Sequence, residues 1–496
     1  MVASEKAPLL DQTGGPLAEL PFAVTLDRAN GSALHAQLAA QVQAAVLSGA
    51  LPAGARLPGT RTLASQLGVT RGVVANAYAA LVADGTLAAS VGQGTGVPAG
   101  AAQIPPARSG APRWFQPPGP APVDGPPGRA GLHFQVGVST AATLDQRAWR
   151  QAWAHAARQP VTGQYADPQG EPELRAALAA WIGRSRGLAA TAADVLVTAG
   201  TLQALNLVVS ALLPPGSTVL LENPGYRAAR QVLLDAGHTV LPLPVDEDGA
   251  IVSAQTPPAR LVYVTPSHQF PLGVRLSLPR RLALLEWAER HDALIVEDDY
   301  DGEFRYGAAP LPPLASLDRS GRVLYLGTLS KALTPALRSG FVLCAPALMP
   351  ALVRARLLQD GGHPLPVQHA LSWLLARGEV DRHVRRTRRW HTQVRAALTA
   401  ELAGLAPHAW LGGIEAGLHL CLHLGPGLDA EVLQDRLAER GVHVSGLASH
   451  NFSGPTPQAL LLGYAGLTAA QARSGGQAIA RAVRETAPLL RPYERV

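Results

Sequence analysis

A chain of 496 residues has room for about three domains of ordinary size, so a large core needs no disulfides to form. Hydrophobic residues at 47% and charged residues at 16% exclude a disordered polypeptide, and 50 Gly with 42 Pro but no Gly-X-Y period exclude collagen while pointing to linkers. The formal charge of +6 is small for this length and alone decides no partner.

In chain order, the opening MVASEKAPLLDQTGG lacks an apolar signal core, and no apolar run approaches 18 residues, so a cytoplasmic protein with no membrane segment is expected. From Ala33 to Gly49, Leu34, Leu38, Val42, Ala45 and Val46 recur at spacings of three and four, the pattern of an amphipathic helix ended by glycine. After a Pro/Gly turn, Thr60 is expected to cap a helix from Arg61 to Leu67, which Gly68 breaks. A third helix, Arg71 to Asp84, offers Val73, Val74, Ala77, Tyr78 and Leu81 to a core, and TLAASVGQGTGV reads as a two-stranded ribbon. Together they predict a winged helix-turn-helix over residues 22–97.

Residues 98–131 hold ten prolines without apolar periodicity and predict an extended Pro/Gly-rich connector. Residues 132–496 then alternate helical segments with short apolar runs at 195–197, 218–221, 261–264, 294–296 and 323–326, predicting a parallel α/β domain. Past about Pro346 the pattern becomes mainly helical, with apolar stretches at 418–424 and 459–462, which suggests a smaller C-terminal α+β subdomain. Two cysteines, Cys344 and Cys421, can form neither a disulfide framework nor a four-thiolate zinc site, and no metal is expected.

The chain contains only two lysines, Lys6 in the polar leader and Lys331 in YLGTLSKALTPALRSG, so chemistry that needs an amine falls to Lys331, expected in a loop after an apolar strand. A partly desolvated lysine suits a Schiff base, and pyridoxal phosphate is the cofactor that uses one. Upstream, LIVEDDYDGEF sets Glu297, Asp298, Asp299 and Asp301 within five positions. Such a cluster needs a cation nearby, whether metal, arginine or a protonated pyridine nitrogen.

The ordered motifs YADPQGEPELR, TAGTLQALN, ENPGY, VTPSHQFPLG, RRLALLEWA, EDDYDGEFRY, GTLSKALTPALRSG and DRHVRRTRR resemble the aminotransferase-like domain of MocR-type regulators, a branch of the GntR superfamily. The N-terminal module resembles that superfamily's winged helix-turn-helix. The resemblance implies a fold-type I domain that binds pyridoxal 5'-phosphate. In it Lys331 forms the Schiff base, Asp298 rather than its neighbour Asp299 pairs with the pyridine nitrogen, and Tyr300 bonds the phenolic oxygen. Arg338, Thr328, Gly200 and Thr201 take the phosphate, Tyr226 stacks on the ring, and Tyr165 reaches the neighbouring subunit's phosphate in a homodimer. His268 and Gln269 either line the site or order their loop, and DRHVRRTRR is more consistent with a solvated, ion-paired helix face than with a DNA patch.

In a helix-turn-helix the second helix enters the major groove, so Thr70 and Arg71, with Asn76 behind them, are the expected readers or positioners of double-stranded DNA. Arg56 and Arg61 can reach phosphates, and Gly92, Gly94, Thr95 and Gly96 form a narrow wing. The expected function is a DNA-binding transcriptional regulator that senses pyridoxal phosphate, an amine or amino-acid effector, or both. The alternative is a working aminotransferase with an accessory winged helix. Two departures from aminotransferases count against the alternative: Phe270 stands where they carry an asparagine, and no arginine occurs between Arg440 and Arg473 to grip a substrate carboxylate.

Overall fold

Apolar residues on one side of 34–48 fold the first helix, α1 (Leu34–Ser48), which buries Leu38, Val42, Ala45 and Val46. It stops at Gly49, whose φ of +79° lets its N–H turn back to the Val46 carbonyl. This computed structural model describes residues 19–29, 31–90, 94–100, 130–307 and 312–487. The chain divides into two compact units between Gly119 and Pro120, a point that lies outside the described residues, as do Lys6, Gly92 and most of the expected 98–131 connector.

In the first unit, α2 (Thr60–Gln66) starts one residue before the expected position: Gly59 is the N-cap and Thr60 makes no capping bond. The Thr60 hydroxyl instead accepts from Arg71 Nε at 3.4 Å, which links α2 to α3 (Arg71–Ala83). Helix α3 buries Val74, Ala77, Tyr78 and Leu81, with Val73 only half-buried, and the Tyr78 hydroxyl donates to the Pro58 carbonyl at 3.0 Å. Strands β1 (Ala88–Ser90) and β2 (Gly94–Gly96) pair antiparallel as the predicted ribbon. Residues 20–26, unassigned by periodicity of three or four, form no strand but alternate in burial, and turn Leu20, Phe22, Val24 and Leu26 toward this core. The side-chain amides of Gln37 and Gln41 bond the backbones of Asp27 and Thr25 at 2.7–2.9 Å and stand in for a neighbouring strand.

The second unit opens with β3 (Leu132–His133), α4 (Gln146–Ala157) and α5 (Pro172–Arg186), followed by β4 (Val195–Thr198) and α6 (Thr201–Leu212). Then come β5 (Thr218–Asn223), α7 (Arg227–Asp235), β6 (Thr239–Asp246), β7 (Gly249–Ala250), β8 (Leu261–Val264) and α8 (Leu278–Arg290). Strands β9 (Leu294–Asp299) and β10 (Val323–Thr328) lead into the one-turn α9 (Leu329–Ala332) and β11 (Gly340–Leu343). The sheet order is β4-β11-β10-β9-β8-β5-β6-β7. The core of this sheet is parallel as expected, but β11 runs antiparallel to both β10 and β4, and β7 antiparallel to β6. Only 11 residues separate β10 from β11, too few for a long right-handed crossover, so the chain reverses through α9.

After α10 (Met349–Asp360) and α11 (Leu365–Ala376), the 24-residue α12 (Glu379–Leu402) leads into the smaller subdomain. There β12 (Ala409–Gly412), β13 (His419–Leu424), α13 (Ala430–Glu439), β14 (Val442–His443), β15 (Ser445–Gly446), β16 (Ala459–Gly463) and α14 (Ala469–Thr486) follow. Its sheet, ordered β12-β13-β16-β15, packs with α12, α13 and α14 on one core. At the end of β16, Gly463 donates its N–H to Phe134 at 3.0 Å, and an added Cβ would run into the Gln135 backbone. Since the obstacle is backbone, Gly463→Ala is expected to lower unfolding free energy by about 1–3 kcal/mol in urea titration; an unchanged midpoint would show that the contact yields freely.

Candidate cofactor site and DNA-reading face

Alternation along β9 decides where its carboxylates go. Glu297 and Asp299 share one face of the strand and Asp298 takes the other, so like charges adjacent in sequence are separated in space. Glu297 accepts the backbone N–H groups of Leu314 and Ala315, each at 2.8 Å. Asp299 accepts from Arg186 Nε and from the Tyr325 hydroxyl, both at 2.6 Å, while the rest of the guanidinium reaches Ser267 and the Gly302 carbonyl. Asp301 meets His268 Nδ1 at 3.0 Å. Asp298 Oδ2 accepts the Tyr263 hydroxyl at 2.5 Å, and its Oδ1, also buried, has no hydrogen-bond partner. The expected arginine is therefore Arg186, at the end of α5, and it belongs to Asp299; Asp298 is the member left for a cation in the cavity.

Burial pushes Asp298 up to about 7, with further upward pressure from Asp299 and Asp301 against the lowering effect of Tyr263 and Lys331. Burial likewise raises Glu222 and Glu297 to about 7 and Glu303 to about 8. For Arg186, burial works downward, but Asp299, Tyr325 and Glu303 together hold it above its ordinary value.

A cavity of about 380 Å³ collects Asp298, Tyr300, Lys331, Thr328, Arg338, Gly200, Thr201 and Tyr226, eight of the nine expected cofactor residues. It lies at the carboxyl ends of the parallel strands, where open α/β sheets place their sites. Lys331 sits within the helical turn α9 rather than in a loop, because the Thr328 hydroxyl accepts the Ser330 N–H and caps that turn; Lys331 Nζ donates to the Gly137 carbonyl. Arg338, with φ of +46°, turns toward the start of α6: its guanidinium lies 3.6 Å from where a Cβ on Gly200 would stand. Free N–H groups at the α6 N-terminus beside a guanidinium form an anion site.

The residues fit pyridoxal phosphate on the strength of the unpaired Asp298 Oδ1, which needs a donor, in one cavity with an amine and an anion cradle. Phe270 closes the aromatic side, edge-on to Tyr226 at 5.8 Å and to Tyr300 at 5.9 Å between ring centroids, and can donate no hydrogen bond. Tyr165 stands apart from the cavity at 94% exposure, on a surface shared with the fully exposed Val161. Gln269 holds its own loop through Glu222 and the Pro224 carbonyl. His268 contacts Tyr300 and Asp301.

Sequence reasoning missed Tyr263, Arg186 and the cavity-lining Gln135, Gly137, Arg227 and His419, which converge from distant elements. Only the alternation of β9 could have separated Asp298 from Asp299 in advance. The DRHVRRTRR run lies on α12, where Arg382 pairs with Glu379, Arg386 donates to the Thr143 carbonyl and Arg388 to the Glu303 carbonyl. Arg440 pairs with Glu485, and Arg473 lies on α14 near Glu401.

On the first unit, Arg61, Thr70, Arg71, Asn76 and Gly94 are exposed, while Arg56 and Thr95 are half-buried. Arg56 bridges Gly96 of the ribbon, and Thr70 makes no side-chain cap bond at the start of α3. The helix start, its arginine and the wing thus belong to one small unit.

Replacing Arg186 by Met would strand the Asp299 charge, and a loss of about 3–5 kcal/mol is expected in chemical denaturation; a loss below about 1 kcal/mol would show the pair to be dispensable. Because burial raises the folded-state pKa of Asp298 above its ordinary 3.8, its protonation stabilises the fold at low pH and that contribution is lost as pH rises through about 7. The cofactor-free chain should therefore lose thermal midpoint from pH 5 to pH 7 more steeply than Asp298→Asn does; equal slopes would contradict the burial.

Residues 134–479 match the family "Aminotransferase class I and II", and residues 34–97 match "Bacterial regulatory proteins, gntR family". The chain is 35% identical over 474 residues to the probable rhizopine catabolism regulatory protein MocR of Rhizobium meliloti, covering 91% of this chain and 94% of that one. It is also 35% identical to the HTH-type pyridoxine biosynthesis transcriptional regulator PdxR of Corynebacterium glutamicum, covering 88% and 92%. Among solved structures, LysN, the alpha-aminoadipate aminotransferase of Thermus thermophilus complexed with N-(5'-phosphopyridoxyl)-L-leucine, superposes with a TM-score of 0.66 at 31% identity, covering 73% of this chain and 94% of that one. These matches reach from the helix-turn-helix through the cavity that holds Lys331 and Asp298, and the chain belongs to the MocR-type HTH regulators, in which a GntR-family DNA-binding domain is joined to a fold-type I aminotransferase domain whose cofactor is pyridoxal 5'-phosphate.

Proposed function

We propose that the chain is a cytoplasmic, homodimeric regulator in which residues 22–97 bind an operator, residues 98–131 connect, and residues 132–496 sense pyridoxal phosphate, an amine or amino-acid effector, or both. The observation that carries this reading is the unpaired Asp298 Oδ1 in the same cavity as Lys331, in a chain that also carries a helix-turn-helix. When bound, pyridoxal phosphate supplies an aldehyde that condenses with primary amines and an electron-withdrawing ring. Lys331 provides the amine that holds it. Asp298 accepts from the pyridine nitrogen and keeps it protonated, with Tyr263 fixing the other carboxylate oxygen. Arg338, Thr328 and the backbone at Gly200 and Thr201 bind the phosphate, Tyr226 covers the ring, and Tyr300 donates to the phenolic oxygen.

The exposure of Tyr165 and Val161 supports a homodimer in which Tyr165 completes the other subunit's phosphate site. At the operator, Arg71 and Thr70 face base edges from the start of α3, Arg56 and Arg61 meet phosphates, and the wing at Gly94 and Thr95 approaches the backbone. An effector changes DNA affinity only through unequal binding to the two dimer arrangements; coupling of about 1–3 kcal/mol corresponds to about 5- to 150-fold. An amine effector that engaged the aldehyde in place of Lys331 would supply such an inequality. Neither Arg440 nor Arg473 lines the cavity, which offers a substrate carboxylate no arginine from the described C-terminal residues.

Binding to DNA upstream of the gene, measured with and without pyridoxal phosphate and candidate amines, should change at least about 5-fold, and Lys331→Ala should abolish the change. Responses within twofold would overturn regulation by this route. Arg71→Ala should cost about 1–3 kcal/mol of operator affinity and relax specificity at one base pair; a uniform loss over all sequences would make Arg71 a phosphate contact.

A further inference from the structure

Behind Tyr300 lies a buried acid–imidazole pair that the cofactor contacts above do not use. His268 Nδ1 is 3.0 Å from Asp301 Oδ2 and also 3.0 Å from the Tyr300 hydroxyl oxygen, and the side chains of His268 and Asp301 are only 3% and 1% exposed. A carboxylate only accepts, so the nitrogen facing Asp301 carries a proton. That N–H cannot also accept from the phenol beside it. The Tyr300 proton must then point elsewhere, and Tyr300 lines the cavity.

We propose that His268 and Asp301 are positioning residues that hold the Tyr300 hydroxyl as a hydrogen-bond donor into the cavity, toward the phenolic oxygen of the bound cofactor. This rests on the cofactor reading above and deepens it. The neighbours agree. His419, its ring centroid 5.0 Å from that of His268, engages the Pro271 carbonyl through Nε2 at 3.0 Å, and burial pushes it down to about 3, so it is a neutral donor already committed. His450 packs on Phe270 and engages the Gly225 carbonyl, while Asp298 takes the Tyr263 hydroxyl on Oδ2 and receives no hydrogen bond from Tyr300 on Oδ1. Gly417, with φ of +76°, leaves the room: a Cβ there would strike the His268 ring and the Asp301 carboxylate. Phe270 offers no donor, so Tyr300 carries the phenolic oxygen without help from that side.

With His268 gone, Asp301 loses its donor and draws the Tyr300 proton to itself. A phenolate oxygen deprived of a donor holds its neighbouring proton more tightly, so the pH at which the bound cofactor changes colour should rise. The test titrates the visible absorption of the loaded full-length chain. His268→Leu should raise the apparent pKa by about one unit, a tenfold shift in proton affinity. His268→Asn, which keeps an N–H near the Nδ1 position, should return it toward wild type. In Tyr300→Phe the added His268→Leu should shift nothing further. Asp301→Ala frees His268 to accept from Tyr300 and should shift the titration the same way, which keeps the test decisive if His268→Leu fails to fold. Wild-type titration in His268→Leu or Asp301→Ala, or additive shifts with Tyr300→Phe, would overturn the inference while leaving the cofactor site intact. A wild-type chain that never takes up the chromophore would overturn both.

Discussion

Four buried carboxylates within five positions are the constraint around which the large domain is arranged. Left unpaired they would repel and take up protons, and the fold answers each differently: a helical turn's N–H groups for Glu297, Arg186 with Tyr325 for Asp299, His268 for Asp301, and Tyr263 alone for Asp298. Three find their partners within the chain, although Asp299 Oδ1 also lacks a hydrogen bond and is offset by the Arg186 guanidinium. The fourth keeps one oxygen open to a cavity lined by the only lysine among the described residues, and that asymmetry makes the site receptive to a cationic ring nitrogen.

The scaffold supports this arrangement through the ends of its parallel strands. Strands β9 and β10 lie side by side with Leu326 opposite Asp298, so the strand that leads to Lys331 runs beside the one that carries the carboxylate. The start of α6 and the left-handed Arg338 meet at Gly200, whose own φ of +113° disfavours a side chain there. Amine, carboxylate and anion cradle are thus fixed by backbone geometry, which favours a preformed site over one assembled by the ligand. A preformed site can report ligand occupancy to a DNA-binding module only if the ligand binds two states of the protein unequally.

Local signals made much of this legible. Periodicity and glycine stops placed α1, α2 and α3 within a residue or so of their observed bounds, and short apolar runs located β4, β5, β8, β9 and β10. The scarcity of lysine isolated Lys331. What stayed hidden depends on contacts across long stretches of chain: Arg186 lies 113 residues from Asp299, and Tyr263 lies 35 from Asp298. The Thr60 cap was misread because its hydroxyl receives Arg71, a partner on another helix. The segment at 20–26 escaped notice because it forms no strand and glutamine side chains satisfy its backbone at Thr25.

The central claim is a covalent bond between Lys331 and pyridoxal phosphate in a cavity where Asp298 awaits the ring nitrogen. Borohydride reduction of the purified chain supplied with the cofactor, followed by proteolysis and peptide mass analysis, tests it most directly. The expected result is a single phosphopyridoxyl adduct on the peptide that contains Lys331, lost in Lys331→Ala and weakened in Asp298→Asn. A Lys331 peptide of unmodified mass at saturating cofactor would contradict it.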